Sequence, residues 1–170
     1  MSGIHYRDAG PEDAGILAEI GRRTFVETFG TLYSPENLAT FLENHSPESW
    51  RGELADPRFS VRLAEAGGEA VGYAKVGPFA FPVEAAGPAV ELRQIYVLAP
   101  WQGAGIAPAL MDWAFDEARR RGAEELYLSV FVDNHRARKF YDRYGFEYVG
   151  DYEFMVGDQA DHDMIMRFKL

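Results

Sequence analysis

Gln102-Gly103-Ala104-Gly105-Ile106-Ala107 is the stretch on which the reading of this 170-residue chain turns. Upstream, Val90–Val97 reads as a strand. Downstream, Gly105–Arg121 reads as an amphipathic helix ended by Gly122, so the hexapeptide is a glycine loop between a strand and a helix start. Glycines let the backbone come close to a ligand. The N–H groups of a helix's first turn have no partner inside the helix, and with the helix dipole they suit a phosphate or pyrophosphate. Such a site needs no basic side chain, which matters in a chain with 17 Lys and Arg against 27 Asp and Glu, a formal charge of −10.

The loop excludes two nucleotide readings. A Walker loop requires Gly-Lys-Ser/Thr, which is absent, and a dinucleotide fingerprint counted from Gly103 and Gly105 would place Pro108 where Gly or Ala belongs. The helices expected before the first strand also argue against an N-terminal dinucleotide-binding unit.

Composition sets the outer bounds. With 47% hydrophobic and 14% aromatic residues the chain can fill a core, and its length fits a single domain, residues 1–170. The acidic balance argues against a general nucleic-acid binder. Zero cysteines remove disulfides, thiolate metal sites and a cysteine nucleophile together. Met1–Ala9 lacks the apolar run of a signal peptide and no later stretch reaches membrane-spanning length, so no membrane partner and a cytoplasmic location are expected. The four histidines, His5, His45, His135 and His162, are scattered without ligand spacing, so no metal is expected. Ser129 lies mid-strand without a nucleophile-elbow pattern.

Outward from the loop, Pro11–Phe29 predicts a helix. Ser34-Pro35-Glu36 starts a second helix with Ser34 as cap, and Ser46–Leu54 forms a short third. Phe59–Ala66 and Val71–Val76 form an antiparallel hairpin across Gly67-Gly68. Gly77–Ala89 reads as a loop with an apolar surface, containing Phe79 and Phe81. Glu125–Val130 is a strand and Asn134–Tyr144 a helix ended by Gly145. Phe146–Tyr152 and Asp161–Leu170 close the chain as strands joined through Gly157-Asp158.

The spacing Gln102-x-x-Gly105-x-Ala107 resembles the acetyl-CoA pyrophosphate loop of the GCN5-related N-acetyltransferase (GNAT) family, whose pattern is Gln or Arg, two residues, Gly, one residue, Gly or Ala. Asn134, Ala137, Phe140, Tyr141, Gly145 and Phe146 resemble that family's Asn-helix-aromatic-Tyr-Gly-Phe segment. Glu91–Val97 looks like its fourth strand, and the resemblance runs the length of the chain. It implies an α/β acyl-CoA N-acyltransferase fold: a central twisted, mixed but mainly antiparallel sheet flanked by helices. The sheet would splay between strands 4 and 5, and the thioester of acetyl-CoA, as co-substrate, would lie in the gap.

Acetyl transfer to an amine requires a neutral amine, donors for the developing oxyanion and a proton for the leaving thiolate. The resemblance assigns that proton to Tyr141, whose ordinary pKa of about 10 keeps it protonated at neutral pH. The alternative is a core aromatic on the stripe Ala137, Phe140, Tyr141, Tyr144. Backbone groups of Ile95, Tyr96 and Val97 would bind the acetyl carbonyl and pantetheine arm, given a bulge there. Gln102, Gly103, Ala104, Gly105, Ile106 and Ala107 would hold the pyrophosphate. Asn134 would bond the arm, cap its helix, or both, with Ala137 beside it. Lys139, with Arg136 and Arg138, would meet the ribose phosphate, or is solvated surface. Glu91, eleven residues before Gln102 as in histone-type members, is either the general base or an ion-pair partner of Arg93.

Thr24, Phe25, Phe29, Tyr33, Phe41 and Val156–Gln159 look like the bacterial diamine and polyamine N-acetyltransferase subgroup, which implies a small-molecule amine as acceptor. Acidic residues Glu84, Asp151, Glu153, Asp158, Asp161 and Asp163 would draw a polycation toward an aromatic cleft, or simply keep the surface soluble. Two other functions stay open: acetylation of a peptide N-terminus or lysine docked on the 77–89 edge, and a non-catalytic acetyl-CoA sensor. The same apolar loop would equally suit a homodimer contact.

Overall fold

The computed structural model describes residues 3–43 and 45–170; Met1 and Ser2, at the start of the Met1–Ala9 stretch and of the expected 1–170 domain, lie outside the described residues. Among the described residues, seven strands form one sheet: β1 (His5–Asp8), β2 (Ser60–Ala66), β3 (Glu69–Pro78), β4 (Ala89–Val97), β5 (Glu125–Phe131), β6 (Glu147–Val156) and β7 (Gln159–Lys169). Their spatial order is β1-β2-β3-β4-β5-β7-β6, antiparallel throughout except between β4 and β5. The helices are α1 (Ala14–Phe29), α2 (Pro35–Glu43), α3 (Pro47–Ala55), α4 (Ile106–Arg120) and α5 (His135–Tyr144).

Strand β1 was not anticipated, because four residues with no apolar alternation carry no period-2 signal. It exists by pairing, from His5 opposite Glu65 to Asp8 opposite Arg62. The helix expected from Pro11 opens instead with a 3₁₀ turn, Pro11–Asp13, in which the Asp13 carboxylate accepts the Gly10 N–H at 2.9 Å and faces Arg7 at 2.7 Å. The last two strands are longer than expected. They meet in a two-residue turn, Gly157-Asp158, where Gly157 has φ 63° and the Asp158 N–H donates to the Asn37 side chain of α2 at 3.1 Å.

Alternation along the strands builds a core on each face. Ala74 and Val76 of β3 and Leu92 of β4 point to α4, which lays down Leu110, Met111, Ala114, Phe115 and Ala118 at helical spacing. Tyr73 of β3 and Val61 and Leu63 of β2 point the other way, to α1 and Trp50 of α3. Leu110 is fully buried, so truncating it to Ala costs about 2–5 kcal/mol. A third cluster of Phe25, Tyr33 and Val156, with Phe41 and Phe154 against it, ties α1 and α2 to the β6–β7 hairpin.

Strands β4 and β5 pair over only three residues, Ala89–Glu91 with Glu125–Tyr127. On its other side β4 shifts register against β3 between Leu92 and Gln94, leaving Arg93 as the extra residue. Beyond that point β4 stays with β3, β5 stays with β7, and the sheet opens between them.

Candidate active site

The loop that decided the reading sits at this opening. Gly103 and Gly105 have φ of 84° and 86°, left-handed values that a side chain adopts only with strain, and Gly105 is the N-cap of α4. The next residues, Ile106 and Ala107, present first-turn N–H groups without intrahelical partners, while Pro108 has none to offer. The Gln102 amide donates to the Val97 carbonyl at 3.1 Å, and its oxygen accepts from the Arg136 guanidinium of α5. A positive side chain thereby stands beside the loop.

A cavity of about 500 Å³ runs through the parted sheet. On the α4–α5 side it is lined by Gln102, Gly103, Gly105, Ala107 and one face of α5: Asn134, Ala137, Tyr141, with Arg136, Phe140 and Arg143. In the gap lie Leu92–Val97 of β4 and Ser129–Phe131 of β5. On the α1–α2 side it reaches Phe25, Thr28, Phe29, Tyr33, Phe154, Asp161 and Asp163.

Tyr141 is 8% exposed, and burial first, then the nearby Tyr96 phenol, push its pKa well above the ordinary value. It holds its proton across the physiological range, as a proton donor must, and it lines the cavity as well as packing on Phe140 and Phe146. Tyr96 turns to the α1 face against Tyr73, and its own pKa is pushed up to about 12 by burial and by Asp163. Asn134 does cap α5, accepting from the Ala137 N–H at 3.3 Å, and it lines the cavity too.

Of the expected site residues, Ile95, Tyr96, Val97, Gln102, Gly103, Gly105, Ala107, Asn134, Ala137 and Tyr141 are brought together. Ala104 is exposed at the loop tip, and the Ile106 side chain is 1% exposed in the α4 core, which leaves only its backbone for a ligand. Lys139 does not line the cavity; Arg136 and Arg143 do, because residues 136, 140 and 143 share the helical face that meets the loop. That spacing was readable for Arg143, which went unnoticed. Arg138 turns away to the Val132 carbonyl, at 2.8 Å.

Glu91 stands apart from the residues brought together at the cavity. It sits at the closed end of the β4–β5 pair, opposite Tyr127, and does not line the cavity. Its carboxylate accepts the Ala80 N–H at 3.1 Å and stands 3.9 Å from Arg93; burial pushes its pKa up. The ion-pair reading fits this geometry, with the added role of anchoring the 77–89 loop.

That loop folds onto the sheet. Phe79 packs on Tyr127 at 4.6 Å and Phe81 on Tyr152 at 5.2 Å, both half-buried against the protein's own sheet. No residue of 77–89 lines the cavity, and Phe79 and Phe81 turn toward the protein's own sheet.

The acidic wall was visible only as composition. Asp161, Asp163 and Ile165 alternate inward on β7 while His162 turns out to Asp151 at 2.9 Å. Tyr33 donates to Asp161, a contact across 128 residues that no local pattern signals, and the Gln159 amide donates to the same carboxylate at 3.1 Å. Asp163 is 6% exposed. Burial, with the negative Asp161 beside it, pushes its pKa up to about 6 against an opposing hydrogen bond from Ser129.

A mixed sheet parted between two parallel strands, with a helix-capping glycine loop at the opening, is the acyl-CoA N-acyltransferase fold. The model of the Acetyltransferase (GNAT) family matches residues 22–146, and the chain belongs to that family; it is an N-acetyltransferase. An uncharacterized N-acetyltransferase of Mycobacterium tuberculosis is 33% identical over 155 residues, 91% of this chain and 96% of the relative. A second uncharacterized N-acetyltransferase, from Lactobacillus delbrueckii subsp. lactis, is 28% identical over 169 residues, 98% of each chain. The crystal structure of the paia N-acetyltransferase from Thermoplasma acidophilum in complex with coenzyme A is similar in fold, with a TM-score of 0.80 at 23% identity over 99% of both chains.

Proposed function

We propose that this protein transfers an acetyl group directly from acetyl-CoA to the primary amine of a small molecule, a diamine or polyamine being the preferred acceptor. The observation that carries the reading is the continuous cavity with a different chemistry at each side of the sheet. On one side stand the first-turn N–H groups of α4 with Arg136 and Arg143, suited to a pyrophosphate. On the other stand two buried carboxylates within aromatic walls, suited to an ammonium group on an alkyl chain.

In this reading Gly103–Ala107 and Arg136 hold the pyrophosphate, and β4 backbone N–H groups freed by the splay bind the pantetheine arm and the acetyl carbonyl. The amine enters from the α1–α2 side and attacks the thioester carbon, and Tyr141 protonates the departing thiolate. The carboxylate wall and the inward-folded 77–89 loop favour a small cation over a docked peptide.

The test is CoA release from acetyl-CoA with putrescine, spermidine, spermine, a lysine peptide and small amino acids as acceptors. Saturable turnover with the polyamines, with intersecting initial-rate patterns, is expected. Turnover with the peptide alone would overturn the acceptor assignment, and tight acetyl-CoA binding without any turnover would favour a sensor.

A further inference from the structure

The two carboxylates on β7 occupy positions that the fold would ordinarily give to apolar residues. Asp161 and Asp163 fall on the same inward face as Ile165, which is fully buried, and they are 8% and 6% exposed. A buried carboxylate is costly unless paired. Among the described residues, no lysine or arginine forms an ion pair with either.

The two are not equivalent. Asp161 is held by two neutral donors, Tyr33 and Gln159, and so is fixed in place. Asp163 stands opposite Phe131 of β5 and Tyr152 of β6 in register, at the rim of the gap where β5 has parted from β4. The polar and charged groups around it include Ser129 of β5, Tyr96 of β4, Tyr33 beyond α1, and Asp161 and His162 of its own strand; Ser129 and His162 favour its charged form, and His162 points outward. The cavity therefore contains a carboxylate with one neutral hydrogen bond, no pairing cation, and an open side facing the reaction gap.

We infer that Asp163 receives the proton of the acceptor amine and that Asp161, clamped by Tyr33, positions the amine beside it. The inference rests on the proposed acyl-transfer reading of the cavity. In the step, the amine nitrogen forms a bond to the thioester carbonyl carbon and an N–H proton passes from that nitrogen to the Asp163 carboxylate. The C–S bond then breaks, and the thiolate takes the Tyr141 proton. The Tyr141 oxygen recovers a proton from Asp163 through water, so one amine N–H and one thioester become one amide and one thiol. An acceptor that arrives as ammonium releases one further proton to solvent. Burial keeps Asp163 a stronger proton acceptor than an ordinary carboxylate, with its pKa pushed up to about 6, yet ionised at neutral pH.

The experiment is a calorimetric titration of spermidine and of n-butylamine into the wild-type protein, D163N, D163E and D161N, each with and without saturating CoA. CoA affinity is measured separately on each protein. D163N is expected to bind both amines about 10- to 100-fold more weakly than wild type, with CoA affinity unchanged and partial recovery in D163E. In the kinetic arm, kcat/KM of D163N for the best acceptor falls by about 100-fold, and the acid limb near pH 6 disappears from its pH profile. Equal amine affinity in wild type and D163N, or no binding of either amine by wild type, overturns the inference. Failure of the wild type to bind CoA strikes the acyl-transfer reading instead.

Discussion

The six buried carboxylates among the described residues fall into two regions that obey opposite rules. In the closed half of the sheet and at the closed end of β4–β5, each faces an arginine. Asp13 lies 2.7 Å from Arg7, Glu117 2.5 Å from Arg120 and 3.0 Å from Arg121, Glu125 3.6 Å from Arg167, and Glu91 3.9 Å from Arg93. In the open half, Asp161 and Asp163 face the cavity without one. Among the described residues the buried acids are paired everywhere but on one wall, and on the proposed reading that wall is left for the cationic acceptor at a cost in stability.

The contrast breaks first at the chemistry of the open half. Tyr141→Phe is expected to lower kcat by about 100-fold or more while acetyl-CoA affinity, measured by calorimetry, stays within about twofold, because the ring and its packing survive and only the proton is lost. Unchanged turnover removes Tyr141 from the mechanism. Next in size is Gly105→Val at the mouth of the same cavity. A β-branched residue at φ 86° is strained and forces the α4 cap to shift. CoA affinity is expected to fall by roughly tenfold, given that such strain costs about 1–3 kcal/mol; wild-type affinity would undo the pyrophosphate assignment.

The two sides of the cavity also differ in how far sequence revealed them. Resemblance to the family pointed to the pyrophosphate loop and to Tyr141 on α5, and because loop, cap and helix around Gly105 are consecutive that segment was readable from its spacing. The acidic wall was not. Asp161 and Asp163 are visible in the sequence as two acids among many, and what separates them from Asp151 or Glu153 is the inward phase of β7 and the partner Tyr33, both set by tertiary contacts. The place of Glu91 was hidden for a related reason: its distance along the chain from Gln102 says nothing of the extra residue at Arg93 and the short β4–β5 pairing, which set it at the closed end of the pair. The 77–89 loop read as exposed because its Pro, Gly and Ala signal a turn-rich connection, yet Phe79, Phe81 and Val83 alternate at a period of two and are half-buried between exposed Ala80, Pro82 and Glu84.

Acid and base should separate the two regions in opposite directions. Although burial opposes its charge, hydrogen bonds from Arg120, Ser60 and Arg121 hold Glu117 down to about 2, so its contribution is present above the unfolded carboxylate range and lost as pH falls toward 2. Glu117→Gln is expected to destabilise the fold by roughly 2–3 kcal/mol at pH 7, from a shift of about two units at ~1.4 kcal/mol each, with the difference shrinking below pH 4. Asp163 runs the other way. Its raised pKa makes the charged form a penalty, absent below the unfolded value and complete above about 6. Asp163→Asn is therefore expected to raise stability at pH 8 by roughly 1–3 kcal/mol and to match wild type near pH 4. Urea denaturation at the two pH values checks both variants, and a destabilised Asp163→Asn at pH 8 would mean the carboxylate is paired after all.

The smallest expected effect is the sharpest on the boundary between the regions. Glu91→Gln keeps an oxygen that accepts the Ala80 N–H and gives up only a charge 3.9 Å from Arg93, so stability should change by less than about 1 kcal/mol. Because the side chain faces the 77–89 loop and not the cavity, kcat/KM should stay within about threefold of wild type, well short of the 10²–10⁴ that a general base supplies, and the acid limb near pH 6 should persist. A hundredfold loss of kcat with intact CoA affinity would carry Glu91 across the boundary. It would make the paired acid at the closed end the working base and leave Asp163 as a binding group alone.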